Sequence, residues 1–148
     1  RARAKEPTHN GFRIIAAEDN PVNQVVIRKL IERLGHRVEV VAGGAEVVSA
    51  VSGGVYDLVL MDCQMPGMDG YEATAAIRAL PAPCSHVPIV AVTAHAVPGD
   101  RESCLESGMN DYLSKPILLD ELARVLDRWL GGNGHAALVD CEGLPAIE

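Results

Sequence analysis

From Phe12 onward, short runs dense in aliphatic and β-branched residues alternate with longer stretches whose apolar positions recur every three or four residues. The runs at 13–17, 38–41, 56–61, 88–93 and 111–114 read as strands, and the stretches at 20–34, 43–52, 69–79, 98–107 and 117–130 read as helices. In the first helix Asn20 can cap, Pro21 suits the first helical position, and Val22, Val25, Val26, Leu30 and Leu34 follow at steps of three and four before Gly35 ends it. The third helix starts from Asp69 as a cap before Gly70, and the fourth from Pro98. The fifth carries a wide apolar face of Leu118, Leu119, Leu122, Val125, Leu126, Trp129 and Leu130. Five strand–helix alternations imply a parallel sheet with helices on both faces, and right-handed crossovers leave few topologies. The runs before Asp62 and up to Thr93 are apolar nearly throughout, as strands buried on both faces should be.

The chain has 148 residues, one domain's worth. Residues 1–12, polar and basic with Pro7, read as a linker, and 13–130 as the folded domain. Residues 131–148 open with Gly131-Gly132-Asn133-Gly134 and read as a Gly-rich linker and tail, the alternative being the start of a following domain. The chain begins with Arg1 rather than Met, so both ends read as cut from something longer. Hydrophobic residues at 48% and charged residues at 22% fit a globular protein and not a disordered one. Aromatics at 3% leave little for stacking on single-stranded nucleic acid. Residues 14–148 hold 9 Lys or Arg against 19 Asp or Glu, a net of −10. A body that acidic should not bind nucleic acid by itself, but it suits a cation.

Cys63, Cys84, Cys104 and Cys141 form no CxxC pair or Cys/His cluster, so a zinc or redox motif has little support; each is expected to be a small buried apolar residue. His36, His86 and His135 are expected at the surface, and His9 in the linker. No apolar stretch approaches the roughly 18 residues that span a bilayer, and the N-terminus lacks the apolar core of a signal peptide.

In an open α/β sheet, ligands bind outside the carboxyl ends of the strands. The first strand ends in Glu18-Asp19, the third in Asp62, the fourth in Thr93 and the fifth in Lys115. Three carboxylates, a hydroxyl and an ammonium on one edge suit a hard divalent cation beside a phosphoryl group. Taken singly, each has a bland explanation: a helix cap for Glu18-Asp19, a turn residue for Asp62, an ordinary strand position for Thr93, a solvated lysine for Lys115. Jointly they are far more specific, while Cys63 reads as packing.

The segments IIAAEDNPVNQ (14–24), LVLMDCQMPGMDGYEA (58–73), IVAVTAHA (89–96) and DYLSKPI (111–117) resemble the receiver domains of two-component response regulators, over about residues 13–130. The resemblance implies a flavodoxin-like (βα)5 fold with strand order 2-1-3-4-5. It makes Asp62 the phosphoacceptor, and Glu18, Asp19 and the Gln64 backbone carbonyl its partners in holding Mg2+, with Mn2+ as a substitute. It implies that Thr93 bonds the phosphoryl group, Lys115 pairs with it, and Tyr112 is the switch aromatic. Gln64 and His95 would tune the lifetime of the phosphoryl group, and the bond before Pro116 would be cis. The motif style is most like receivers of hybrid sensor histidine kinases, which implies a cytoplasmic module of a membrane-anchored parent. The implied partner is a histidine kinase or histidine phosphotransfer domain. As an isolated domain it would catalyse only its own phosphorylation and dephosphorylation.

Two other classes compete. A haloacid-dehalogenase-type phosphatase also uses Asp, Mg2+, Thr and Lys, but its nucleophile ends the first strand and an acid follows two residues later, where Gln64 stands. A binding-only module would use the acidic edge as a docking surface.

Overall fold

The computed structural model describes residues 11–94 and 99–130. Five strands, β1 (Arg13–Ala17), β2 (Arg37–Val41), β3 (Leu58–Asp62), β4 (Ile89–Thr93) and β5 (Asp111–Ser114), form one parallel sheet in the order β2-β1-β3-β4-β5. Five helices connect or follow them: α1 (Pro21–Arg33), α2 (Gly44–Gly53), α3 (Gly70–Arg78), α4 (Asp100–Glu106) and α5 (Leu119–Leu130). The sheet order and class are those implied by the resemblance. A 3-10 turn at Cys84–His86 lies outside the elements that the hydrophobic pattern predicts.

Alternation along the strands splits the core into two layers. Ile15, Ala17, Val59, Met61, Ile89 and Ala91 face α2, α3 and α4, where Val47, Val51, Ala73, Ile77 and Cys104 meet them. Ile14, Ala16, Leu58, Leu60, Val90 and Val92 face α1 and α5, against Ile27, Ile31, Leu122, Val125, Leu126 and Leu130. β3 and β4 are buried at every position, which explains their uninterrupted apolar runs.

Several boundaries move. α4 begins at Asp100 behind Gly99, whose φ of 95° only glycine tolerates well, and Pro98 lies outside the described residues. α5 begins at Leu119, two residues later than 117, leaving Leu118 exposed. In α1 the buried line is Ile27 and Ile31, while Val22, Val25 and Val26 are 70%, 52% and 41% exposed. Of the repeat that reveals the helix, Leu30 and Leu34 pack beside the core while its three valines turn outward. Asn20 caps α1 through its side chain, and Asp69 makes a reciprocal capping box with Glu72. Cys63 and Cys104 are buried as expected; Cys84 is half-buried, its thiol donating to the Val51 carbonyl, and Cys141 is outside the described residues. His86 is exposed, but His36 is half-buried, its ring 5.5 Å from that of Phe12. His9 and His135 fall outside the described residues.

Two polar anchors hold the far elements. The half-buried Arg78 guanidinium donates to the carbonyls of Gly108, Ser85 and Val87 and to Asn110 Oδ1, at 2.7–2.9 Å, tying the end of α3 to the approaches of β4 and β5. Asp111, 5% exposed, accepts from Trp129 Nε1 at 2.9 Å, the Tyr112 N–H at 2.8 Å and Arg128 at 2.5 Å, pinning α5 to β5. Burial works to raise the Asp111 carboxyl, but the hydrogen bonds from Trp129 and Tyr112 and the Arg128 charge outweigh it and hold its pKa below the usual value. A depressed folded-state pKa adds stability above the ordinary carboxylate value near about pH 4, lost as pH falls through the lower folded value. Asp111→Ala should cost about 2–3 kcal/mol at pH 7, with little of it from the exposed Arg128. Urea unfolding at stepped pH checks this: the gap to the parent chain should persist at pH 4 and close toward pH 2. A gap that stays constant throughout would disprove the assignment.

Candidate functional site at the carboxyl edge of the sheet

Because all five strands are parallel, their carboxyl ends share one edge, and the chemistry placed there converges. β1 runs into Glu18 and Asp19, β3 ends on Asp62, β4 on Thr93, and β5 leads into Lys115. One carboxylate oxygen each from Glu18, Asp19 and Asp62 lie within 4.8 Å of one another. Glu18 and Asp62 are 1% and 2% exposed, whereas Asp19 faces solvent. Lys115 Nζ stands between the two buried acids, 3.1 Å from Glu18 Oε1 and 3.2 Å from Asp62 Oδ2. Thr93 is buried at 5% exposure, and its carbonyl accepts from the Lys115 N–H, so β4 fixes where the lysine departs. The Lys115–Pro116 bond is cis, as implied, and a second cis bond joins Ala82 to Pro83.

Burial is the main force pushing the Asp62 carboxyl above the usual carboxylate range; Glu18 adds to it, and the Gln64 N–H and Lys115 oppose it. Burial alone would lower the Lys115 ammonium, but Glu18 and Asp62 outweigh it and hold that pKa above normal. Glu18 Oε1 is fully buried and has charge compensation from Lys115 but no donor aligned for a hydrogen bond. An unused lone pair on a buried carboxylate, among three oxygen donors, is the chemistry that a hard divalent cation completes. The residues present therefore fit Mg2+.

The loop after β3 keeps Asp62 in place. The Gln64 N–H donates to Asp62 Oδ1 at 3.0 Å, while the Gln64 side chain is exposed. Gly70 packs so closely that a Cβ there would lie 2.5 Å from the Asp62 carbonyl oxygen, and one at Gly44 would lie 2.4 Å from that of Met68. The first turns of α2 and α3 thus clamp the loop from two sides. Tyr112 is half-buried against the layer that holds α3 and α4. His95 lies outside the described residues.

Sequence reasoning missed two contacts of α1 with the site. The Asn20 N–H donates to Glu18 Oε2 at 3.1 Å, and Gln24 Nε2 donates to the Glu18 carbonyl at 2.6 Å. It also missed that Tyr71 reaches Cys104 Sγ at 3.7 Å. Burial, with Cys104 next, pushes the Cys63 thiol up to about 12, so the neighbour of Asp62 is an inert packing residue. No local signal in the sequence marks these pairs.

Residues 14–127 match the family model described as the response regulator receiver domain. The chain is 50% identical over 121 residues to a sensor protein, GacS, of Pseudomonas syringae pv. syringae, covering 80% of this chain and 13% of that protein. It thus spans about an eighth of the length of that relative. It is similar to the receiver domain of a sensor histidine kinase from Pseudomonas aeruginosa, crystallised with a magnesium ion in its active-site cleft. The identity is 51%, the TM-score 0.76, and the coverage 82% of this chain and 98% of that one. It is also similar to the receiver domain in a Saccharomyces cerevisiae co-crystal of a histidine phosphotransfer protein with its downstream response regulator. That match has 28% identity and a TM-score of 0.77, covering 89% and 97% of the two chains. Fold, strand-end chemistry and a match over most of its length agree: this chain belongs to the response regulator receiver domain family.

Proposed function

We propose that the domain accepts a phosphoryl group on Asp62 from a phosphohistidine donor in a phosphorelay and relays the change through its surface. The observation that carries this is the buried Asp62 carboxylate, held at a strand end beside Glu18 and Asp19 and 3.2 Å from the Lys115 ammonium. An Asp62 oxygen attacks phosphorus, the P–N bond to the donor imidazole breaks, and its electron pair returns to the ring nitrogen, which takes up a proton. Glu18, Asp19, Asp62 and the Gln64 carbonyl would hold Mg2+, or Mn2+ in its place, and the ion when bound would supply charge neutralisation at the phosphoryl oxygens. Lys115 offsets charge on another oxygen and Thr93 donates its hydroxyl, so both serve the charge that grows in transfer. Thr93 moving toward the phosphoryl group would leave room for Tyr112, shifting the population of the face made by α4, β5 and α5. Gln64 and, by the family resemblance, His95 would set how fast water removes the group. The isolated domain would turn over nothing beyond its own phosphorylation and dephosphorylation, and the parent chain would be a membrane-anchored hybrid histidine kinase with this module in the cytoplasm. Among the described residues no helix is long and apolar enough to cross a membrane.

Acetyl phosphate with Mg2+ should add one phosphoryl group, which peptide mapping should place on Asp62. No adduct would leave a binding-only module, and sustained release of phosphate at enzyme rates would favour the hydrolase class.

At the start of α1, next to the site, Val22, Val25 and Val26 form an exposed apolar strip. We assign this strip to a helix of the phosphohistidine-bearing partner. Val25→Glu should slow transfer from a phosphorylated histidine phosphotransfer domain by about tenfold or more, roughly 1.4 kcal/mol. Labelling by acetyl phosphate, which needs no docking, should be unchanged. Equal loss with both donors would mean that the substitution damages the site itself.

A further inference from the structure

We propose that Gln24 is a positioning residue that holds the Glu18–Asp19 pair in metal-binding geometry; this rests on the assignment of Glu18 and Asp19 as metal ligands. Gln24 sits in the first turn of α1, and its side chain turns back past the Asn20 cap to donate to the Glu18 carbonyl at 2.6 Å. That carbonyl belongs to the peptide joining Glu18 to Asp19, so the bond restrains the unit that links the two carboxylate-bearing residues. The same residue is held at three more points. The Glu18 N–H donates to the Val41 carbonyl at 2.9 Å, Glu18 Oε2 accepts from the Asn20 N–H at 3.1 Å, and Glu18 Oε1 lies 3.1 Å from Lys115 Nζ. Of these restraints only the Gln24 bond acts on the Glu18–Asp19 peptide itself.

The pair differs in what else holds it. Glu18 is buried at 1% exposure and packed, but Asp19 faces solvent, and its direction depends on the peptide before it. Without the Gln24 donor, a buried carbonyl loses its partner and the peptide is free to rotate toward water. A rotation of a few degrees swings the Asp19 carboxylate away from Glu18 and Asp62. Mg2+ demands near-ideal octahedral distances, so such a displacement is felt strongly in affinity. Outer-sphere partners of metal ligands typically govern affinity by about ten- to hundredfold.

The test is Mg2+ binding by calorimetry on the whole chain, with melting temperatures in EDTA measured alongside. Gln24→Met, which keeps length without a donor, and Gln24→Ala should each raise the Mg2+ Kd about tenfold. The Mg2+ concentration for half-maximal labelling by acetyl phosphate should rise by the same factor, with the rate at saturating Mg2+ nearly unchanged. Ile31→Val supplies the control, since it loosens the buried face of α1 without touching the clamp; it should lower the melting temperature and leave the Kd within twofold. A Kd within twofold of the parent chain in both Gln24 variants overturns the proposal. So does an equal rise in Ile31→Val, which would make the effect general loosening. If the parent chain itself binds no Mg2+, the metal assignment falls with it, whereas unchanged variants beside a binding parent chain remove Gln24 alone.

Discussion

Asp62→Asn is expected to take up no phosphoryl group from acetyl phosphate or from a phosphohistidine donor, and to melt above the parent chain in EDTA. The first result follows from removing the nucleophilic oxygen, since the neutral amide that replaces it is no acceptor for phosphorus. The second follows from the electrostatics of the metal-free site. Glu18 and Asp62 are both almost fully buried, and a carboxylate oxygen of each belongs to a cluster within 4.8 Å. Two like charges about 4 Å apart repel by roughly 4 kcal/mol at an effective dielectric near 20. Lys115 lies within 3.2 Å of both and offsets much of this. The residue is visible in the Asp62 carboxyl, which burial first, and then Glu18, hold above the usual pKa. A net relief of about 1–2 kcal/mol, some 4 °C or more in melting temperature, is the expected size. The gain should shrink or reverse with excess Mg2+, which stabilises the intact cluster by mass action. Labelling of Asp62→Asn at another acid would overturn the phosphoacceptor assignment; lower melting in EDTA would show that Asp62 stabilises the metal-free fold.

Lys115→Met is expected to have the opposite signature. Its ammonium is the cation, among the described residues, that pairs with both Glu18 and Asp62, and its side chain is 23% exposed. Removing one partner of a buried ion pair strands the other, at about 3–5 kcal/mol in dry sites; water reaching Lys115 brings the expected cost to about 2–4 kcal/mol. The variant should therefore melt well below the parent chain in EDTA. Its Mg2+-induced rise in melting temperature should be larger than the parent's, because the ion then meets two uncompensated carboxylates and no competing ammonium. Labelling by acetyl phosphate should be slow even at saturating Mg2+, since no positive charge remains for the second phosphoryl oxygen. An unaltered melting temperature in EDTA would mean that Lys115 points to solvent and that the three-charge cluster does not exist as described.

These two variants separate what each charge does; the Asp62→Asn outcome follows from the chemistry at the strand ends, whereas the cost of losing Lys115 in the metal-free chain does not. The sequence places Glu18, Asp19, Asp62, Thr93 and Lys115 at strand ends, where the carboxylates read as ligands for a cation and Lys115 as a partner for a phosphoryl group. In the folded chain Lys115 already serves the acids before any phosphoryl group arrives.

Short-range sterics and burial make much of this fold legible in the linear chain. The apolar runs ending at Asp62 and Thr93 could only be strands covered on both faces, and both are buried throughout. Asn20-Pro21 and Asp69-Gly70 are local start signals, and both cap their helices through side-chain bonds. Strands alternating with helices dictate a parallel sheet, and a parallel sheet brings its strand-end residues to one edge, so the site's membership was readable from strand positions. Other choices, to which local rules are indifferent, are settled by packing between distant elements. α1 carries two adjacent apolar lines, and spacing cannot say that Ile27 and Ile31 pack while Val22, Val25 and Val26 face solvent; packing of α1 beside β2 and into the layer of Ile14, Ala16, Leu58 and Leu60 settles it. The Asp111–Trp129 bond, the Arg78 bonds to Gly108 and Asn110, and the Tyr71–Cys104 contact join residues 18–33 positions apart. Lys115 meets an acid 53 residues away, and it does so because β5 and β3 flank β4 in the sheet. A hydrogen bond or ion pair depends on ångströms between side chains, and those distances exist only once burial of the two apolar layers has fixed every strand and helix in register.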